Sequence, residues 1–181
     1  MNIQKIKTNF FLIIYYSIVS KLPSNTSIFV GLFIRKIRGF VCSQIFKYSG
    51  DNIDIGRNIY FGNGADVEIG HNSGIGNDSR ITNNLVIGND VMIAPNLVVL
   101  GPNHNFDRLD IPMNKQGVSK KTLVKIENDV WIGTNVILGN KITIKKGSII
   151  AAGSVVTKDN KEYSIYGGNP ASLIKYRYEK N

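Results

Sequence analysis

The sequence predicts a mainly β fold, a parallel β-helix, on three observations. From Ile126 onward every sixth residue is a large aliphatic one: Ile132, Leu138, Ile144, Ile150 and Val156. The same step runs upstream through Ile69, Ile75, Ile81, Ile87, Ile93 and Val99, with a shorter run at Ile55, Phe61 and Val67 two residues out of frame. Two places before each member of the later set stand Val124, Val130, Val136, Ile142, Ser148 and Ser154, all apolar or small. Helices repeat about every 3.6 residues and half-buried strands every two, so neither yields an unbroken six. A hexapeptide that forms one short strand and one corner does. The aliphatic side chain then points into the prism. The next residue, glycine at Gly133 and Gly139, is expected to take the tight corner. Unrelated short strands with glycine turns would not share a frame over so many steps.

Taken in order, residues 1–50 lack the six-step and read as a helical segment. One helix is expected from Ile3 to Leu22, stopped by Pro23. A second starts among Ser24–Ser27, where Ser and Asn offer N-caps, and continues to Tyr48. Its Arg35, Lys36, Arg38 and Lys47 beside Phe33, Ile37, Phe40 and Val41 form an amphipathic, basic face. Either these helices cap the open end of the β-helix and pack on neighbouring subunits, or they bind a membrane peripherally. The β-helix is expected over 51–160, interrupted by an excursion at 102–123 that is polar and breaks the repeat. A loop of that length inside a compact unit is usually functional. The tail, 161–181, turns at Gly167–Pro170 and is expected to end in a short basic helix.

Charge is unevenly placed. Residues 1–50 carry +7 with no acid, 51–114 carry −5, and 115–181 carry +7. Basic ends suggest anionic partners such as phosphates or a membrane surface. No basic helix with interleaved aromatics appears, so nucleic acid is not expected. Cys42 is the only cysteine, which excludes an internal disulfide and fits a reducing, cytoplasmic setting. The apolar run Phe10–Val19 is too short to span a bilayer, which takes about 20 residues, and no small-x-small cleavage site follows it.

The segments WIGTNVILGNKITIKKGSIIAAGSVVTKD and YGGNPASLIKYR, with GPNHNFDRLDIPMNKQG in the excursion, resemble the hexapeptide-repeat acetyltransferases. Within that family they are most similar to the sugar O-acetyltransferases of bacterial capsule and O-antigen synthesis. The resemblance covers nearly the whole chain. It implies a left-handed β-helix, a homotrimer, acetyl-CoA as co-substrate in a groove between subunits, no metal, and a loop histidine as general base. His104 in NHNFD occupies the matching place. The chemistry agrees, because a sugar hydroxyl needs a base such as imidazole near neutral pH; the alternative is a plain surface histidine. The other histidine, His71, reads as a solvated corner. Asp107, close in sequence, and Asn84, about one coil earlier, are the candidates to orient His104.

For the donor, the resemblance implies Gly133 and Thr134 after Trp131, then Ala152, Thr157 and Lys158 along the coil edge. Lys158, Lys175 and Arg177 stand where family members hold CoA phosphates, or they are ordinary surface charges. Trp131 reads equally as packing between subunits. Acceptor contacts are expected from Phe106, Asp107, Arg108 and Met113–Gln116. Asn140–Lys141 replaces the Pro-Gly corner common in relatives. The same machinery would serve an amine, making N-acetylation of an amino sugar or antibiotic the alternative. A non-catalytic trimeric scaffold would need neither the histidine-bearing excursion nor the AAGSVVTKD edge. A zinc hydratase on this fold needs three histidines per metal, and two histidines do not supply them. A covalent acyl-Cys42 is not expected, since no basic neighbour activates it.

Overall fold

A computed structural model describes residues 3–179. Helix α1 (Ile3–Ser17), a 3-10 turn (Val19–Lys21) and helix α2 (Gly31–Ser43) precede a three-sided parallel prism. The first face stacks strands Tyr48–Ser49, Val67–Ile69, Asn84–Ile87, Leu123–Ile126 and Thr143–Ile144. The second stacks Asp54–Ile55, Gly74–Ile75, Met92–Ile93, Trp131–Ile132 and Ile149–Ile150. The third stacks Arg80–Ile81, Val98–Val99, Ile137–Leu138 and Val155–Val156, with Tyr60 bridged to Arg80 at its start. Within each face the pairing is parallel and in register, Ile132 on Ile150 and on Ile93, Leu138 on Val156 and on Val99. The aliphatic of every sixth position is buried, and so is the residue two before it. Where that second residue is serine, the hydroxyl satisfies a buried carbonyl: Ser73 donates to Gly88 at 2.7 Å and Ser79 to Gly76 at 2.7 Å.

The corners work differently from the expectation. Positive φ falls three residues after the aliphatic, at Asn58, Asn72, Asp78, Asp90, Asn96, Asp129 and Asn135, and on the glycine directly following the inward residue only at Gly62, after Phe61. Asn and Asp tolerate the left-handed region best among non-glycine residues. Their side chains also ladder between coils, Asn72 to Asp90 at 3.1 Å and Asn96 to Asn135 at 2.9 Å. Glycine after the aliphatic answers a different demand, close stacking of successive coils. A Cβ on Gly133 would lie 2.6 Å from the Ala152 nitrogen. Lys141 takes the left-handed corner at φ 51°, so the departure from Pro-Gly leaves the turn in place.

Three further differences from the sequence reading follow from tertiary contacts. The first strand begins at Tyr48, because Lys47 and Gly50 already donate to the Val67 and Ile69 carbonyls of the next coil. The tail is not helical: Ser164–Gly168 extends the second face in parallel, and Ala171–Tyr176 returns antiparallel beside it. The turn at Asn169–Pro170 joins the two. Open ladder groups on the last coil outweigh local helix preference there. Arg38, expected on an exposed basic face, is wholly buried. Its guanidinium donates to the Val19, Leu22, Pro23 and Ile55 carbonyls at 3.0–3.3 Å and to the Asn25 side-chain oxygen. Asn25 in turn donates to Asp54, so an amide links the buried cation to a carboxylate. Burial lowers the Arg38 pKa from the ordinary guanidinium value. Tyr15 and Tyr16 of α1 also donate to the first coil, to Ile59 at 2.9 Å and Gly62 at 2.8 Å. The helices therefore cap the prism.

Candidate active site at one edge of the prism

The edge joining the third face to the first collects most of the chemistry. In the second coil it consists of Thr82 and Asn83, followed directly by Asn84. In the third coil the 101–122 excursion leaves from it and returns to it; in the fourth it carries Asn140 and Lys141, and in the fifth Thr157 and Lys158. Successive coils rise by about 4.8 Å.

Asn83 holds the excursion at both ends. Its Nδ2 donates to the Leu100 carbonyl at 3.2 Å and to Thr122 Oγ1 at 2.9 Å, while its Oδ1 accepts from the Thr122 N–H at 2.8 Å. At 3% exposed it is buried, whereas the corner asparagines Asn58, Asn72, Asn96 and Asn135 are open. Nothing in the repeat distinguishes Asn83 from those corners, so the sequence reading missed it. Asn83→Ala removes these three hydrogen bonds, together with those to Asn140 Oδ1 and the Asn84 N–H, and leaves part-buried partners unsatisfied, each at a cost of about 1–3 kcal/mol. The expected result is faster limited proteolysis within residues 101–122 with the coil circular dichroism retained.

Within the excursion a short antiparallel contact pairs His104 with Val118. Asn105 N–H donates to the Gly117 carbonyl at 3.0 Å and Ser119 N–H to that of Asn103 at 2.8 Å. Gln116, expected to touch the acceptor, instead spends its amide on the loop itself. It accepts from Arg108 N–H at 3.1 Å and donates to the Arg108 and Ile111 carbonyls at 2.7 and 3.0 Å. Arg108 is ion-paired with Asp110, which holds the Asp110 carboxyl below its usual range. Phe106, Asp107 and Met113 are exposed, and Leu109 is 99% exposed.

His104 is exposed, and neither Asp107 nor Asn84 hydrogen-bonds its imidazole. The two orienting candidates differ sharply. Asp107 is open to solvent, whereas Asn84 carries a buried Oδ1, the unpartnered buried side-chain polar atom among the described residues. An orphaned buried acceptor calls for an explanation, such as an ordered water, an ion or a catalytic role.

The candidate donor residues divide into groups. Gly133, Thr134 and Ala152 lie on the edge between the second and third faces; there Thr134 Oγ1 donates to Pro95 at 3.0 Å and Gly133 N–H to Ile150 at 2.8 Å. Thr157 and Lys158 lie on the opposite edge, exposed. The two groups bracket the third face. Trp131 stands apart on the second face, half exposed between Met92 and Ile149. Lys175 pairs in register with Ile165 in the terminal hairpin. Arg177 sits at the remaining edge, donating to Asp129 Oδ2 at 2.9 Å and the Gly147 carbonyl at 2.7 Å. Within one chain the structure does not bring Lys175 and Arg177 to Thr157.

His71 accepts from the Asp51 N–H at 3.0 Å at a corner, as the sequence suggested. Cys42 is wholly buried and burial pushes its thiol pKa up, which removes it as a nucleophile. Among the described residues, no group of three His, Cys, Asp or Glu side chains could hold a metal ion.

Residues 123–158 match the model of the bacterial transferase hexapeptide (six repeats). Galactoside O-acetyltransferase of Escherichia coli (strain K12) is 30% identical over 142 residues, 76% of this chain and 68% of that one. The maltose O-acetyltransferase structure from Clostridium difficile 630 superposes with a TM-score of 0.76 at 26% identity, covering 97% of this chain and 89% of that one. The hexapeptide-repeat acetyltransferase VCA0836 of Vibrio cholerae O1 biovar eltor, solved with acetyl coenzyme A, shares the fold at 21% identity and a TM-score of 0.75, with 97% and 88% covered. Higher identities are confined to short stretches. Over 53 or 54 residues the chain is 46–53% identical to curated acetyltransferases of which it spans only 25–29%. With its coils, its excursion and a relative matched across two thirds of its length, the chain belongs to the hexapeptide-repeat acetyltransferases of the galactoside and maltose O-acetyltransferase type.

Proposed function

We propose that this chain transfers the acetyl group of acetyl-CoA to a hydroxyl of a sugar, in a bacterial surface polysaccharide or its precursor, with His104 as general base. The observation that carries the reading is the shared edge: Asn84, the histidine-bearing excursion, Thr157 and Lys158 all belong to it. His104 takes the hydroxyl proton as the oxygen attacks the thioester carbonyl. The C–S bond breaks, and the proton passes to the departing CoA sulfur. A backbone N–H of the edge holds the developing oxyanion. The orphaned acceptor of Asn84 favours it over Asp107 as the group that orients the histidine or the donor amide.

The active unit is proposed to be a homotrimer. An imidazole without a partner among the described residues and a loop exposing Phe106, Leu109 and Met113 support a site completed by the neighbouring subunit. Such packing would also give Lys175 and Arg177 a donor to reach. Thiol release from acetyl-CoA across a panel of sugars, with mass spectrometry of products, tests the reading. One added acetyl group, labile to mild base, is expected. A base-stable product would replace hydroxyl by amine as the acceptor. No turnover together with no CoA binding would leave a scaffold.

A further inference from the structure

The capping helices bury one side and leave the other apolar side uncovered. In α1, Tyr15 faces the prism while Ile6, Phe10 and Ile13 are exposed. At roughly 100° per residue those three form a stripe opposite Tyr15, and Lys5 and Lys7 fall one on each flank. In α2, Phe33 and Phe40 are exposed on one side, with Lys36 between them, opposite buried Arg38 and Cys42. Phe11 joins the stripes, its ring 5.6 Å from Phe10 and 6.0 Å from Phe40. Ile28 and Phe29, just before α2 in the chain, are 93% and 95% exposed.

The charges carried by the helices themselves have one sign, and the one carboxylate bordering the cleft beside Lys36 and Phe40, Asp51, lies within reach of His71. No acid occurs before Asp51. Arg38 is buried, and Arg35 and Lys47 pair with Asp54 and Glu68. Among the described residues, Lys5, Lys7, Lys21 and Lys36 have no ion-pair partner. An apolar stripe flanked by lysines is the pattern of a helix lying in a bilayer interface. Among the described residues, no helix is long and apolar enough to cross a membrane.

We propose that α1 and α2 form an interfacial anchor that seats the helix-capped end of the prism on an anionic lipid bilayer. A second copy of this face suits the surface less well, because it would set the same unpaired lysines against each other. The excursion leaves the third coil, two coil rises or about 10 Å above the first. That brings acceptors attached to the bilayer within its reach.

The test is co-sedimentation of the purified full chain with vesicles of phosphatidylcholine alone or mixed with phosphatidylglycerol. Strong binding to the mixed vesicles only, weakening as salt is raised, is expected. Lys5→Gln with Lys7→Gln should lower it on the order of tenfold, and Phe10→Ser with Ile13→Ser by at least as much. All four residues are exposed, so folding should survive in both variants. The proposal is overturned by absent or composition-independent vesicle binding, or by variants that bind like the parent. A changed oligomeric state with vesicle binding unchanged would assign the face to contact between copies.

Discussion

Replacing His104 with alanine is expected to lower turnover by a factor on the order of 10²–10⁴ while CoA still binds. The size follows from what a positioned base contributes to deprotonating a hydroxyl, about 3–5 kcal/mol of barrier at 1.36 kcal/mol per tenfold. The structure makes this a clean substitution. His104 is exposed, its side chain has no hydrogen-bond partner among the described residues, and the loop geometry rests on backbone pairing with Val118 and on Gln116. The thermal midpoint should therefore stay with the parent, and calorimetric CoA affinity should change little. Steady-state thiol release checks the rate. Activity within a fewfold of the parent would remove His104 as the base and turn attention to a water or a group from the adjacent subunit.

Arg38→Met should be the most damaging single change to stability, costing about 3–5 kcal/mol. Methionine fills similar space, yet it removes the donor of the Leu22 and Pro23 carbonyls and of the Asn25 side-chain oxygen, and leaves the Val19 and Ile55 carbonyls only the Leu22 N–H and the Asn25 amide. In a domain of this size such a loss corresponds to a fall of roughly 6–20 °C in the midpoint. Arg38→Lys keeps the charge but not the five-donor fork, and should recover only part of it. Thermal denaturation of both variants decides the matter. A parent-like midpoint in Arg38→Met would mean that the helices hold the prism by apolar packing alone.

Sequence periodicity carried the prism because the fold repeats a local demand, one inward aliphatic per strand, eighteen residues per coil in its regular stretches. The excursion was legible as the place where that demand stops. Corner chemistry was misread: glycine after the aliphatic suggested a turn, whereas the stacking coil above excludes a Cβ and the turn itself falls on Asn and Asp. Arg38 looked like surface charge because its partners are backbone carbonyls, which leave no trace in side-chain patterns. Asn83 was hidden for a related reason, its partners lying 17 and 39 residues away on either limb of the excursion. The tail was read from composition, while its strands answer to ladder groups presented by Ile149 and Ile150.

That tail has a consequence beyond its own stability. A stack of parallel coils is in principle a seed for a fibre, since each terminal coil offers unpaired backbone to another chain. Here the reversal of Ala171–Tyr176 replaces a parallel strand with an antiparallel one on the second face. A following coil could not continue that face in phase. The opposite end lies beneath two helices pinned by Arg38. Axial stacking is therefore hindered on the second face at one end and by the helices at the other, which leaves the flanks of the prism as the surfaces open to another copy.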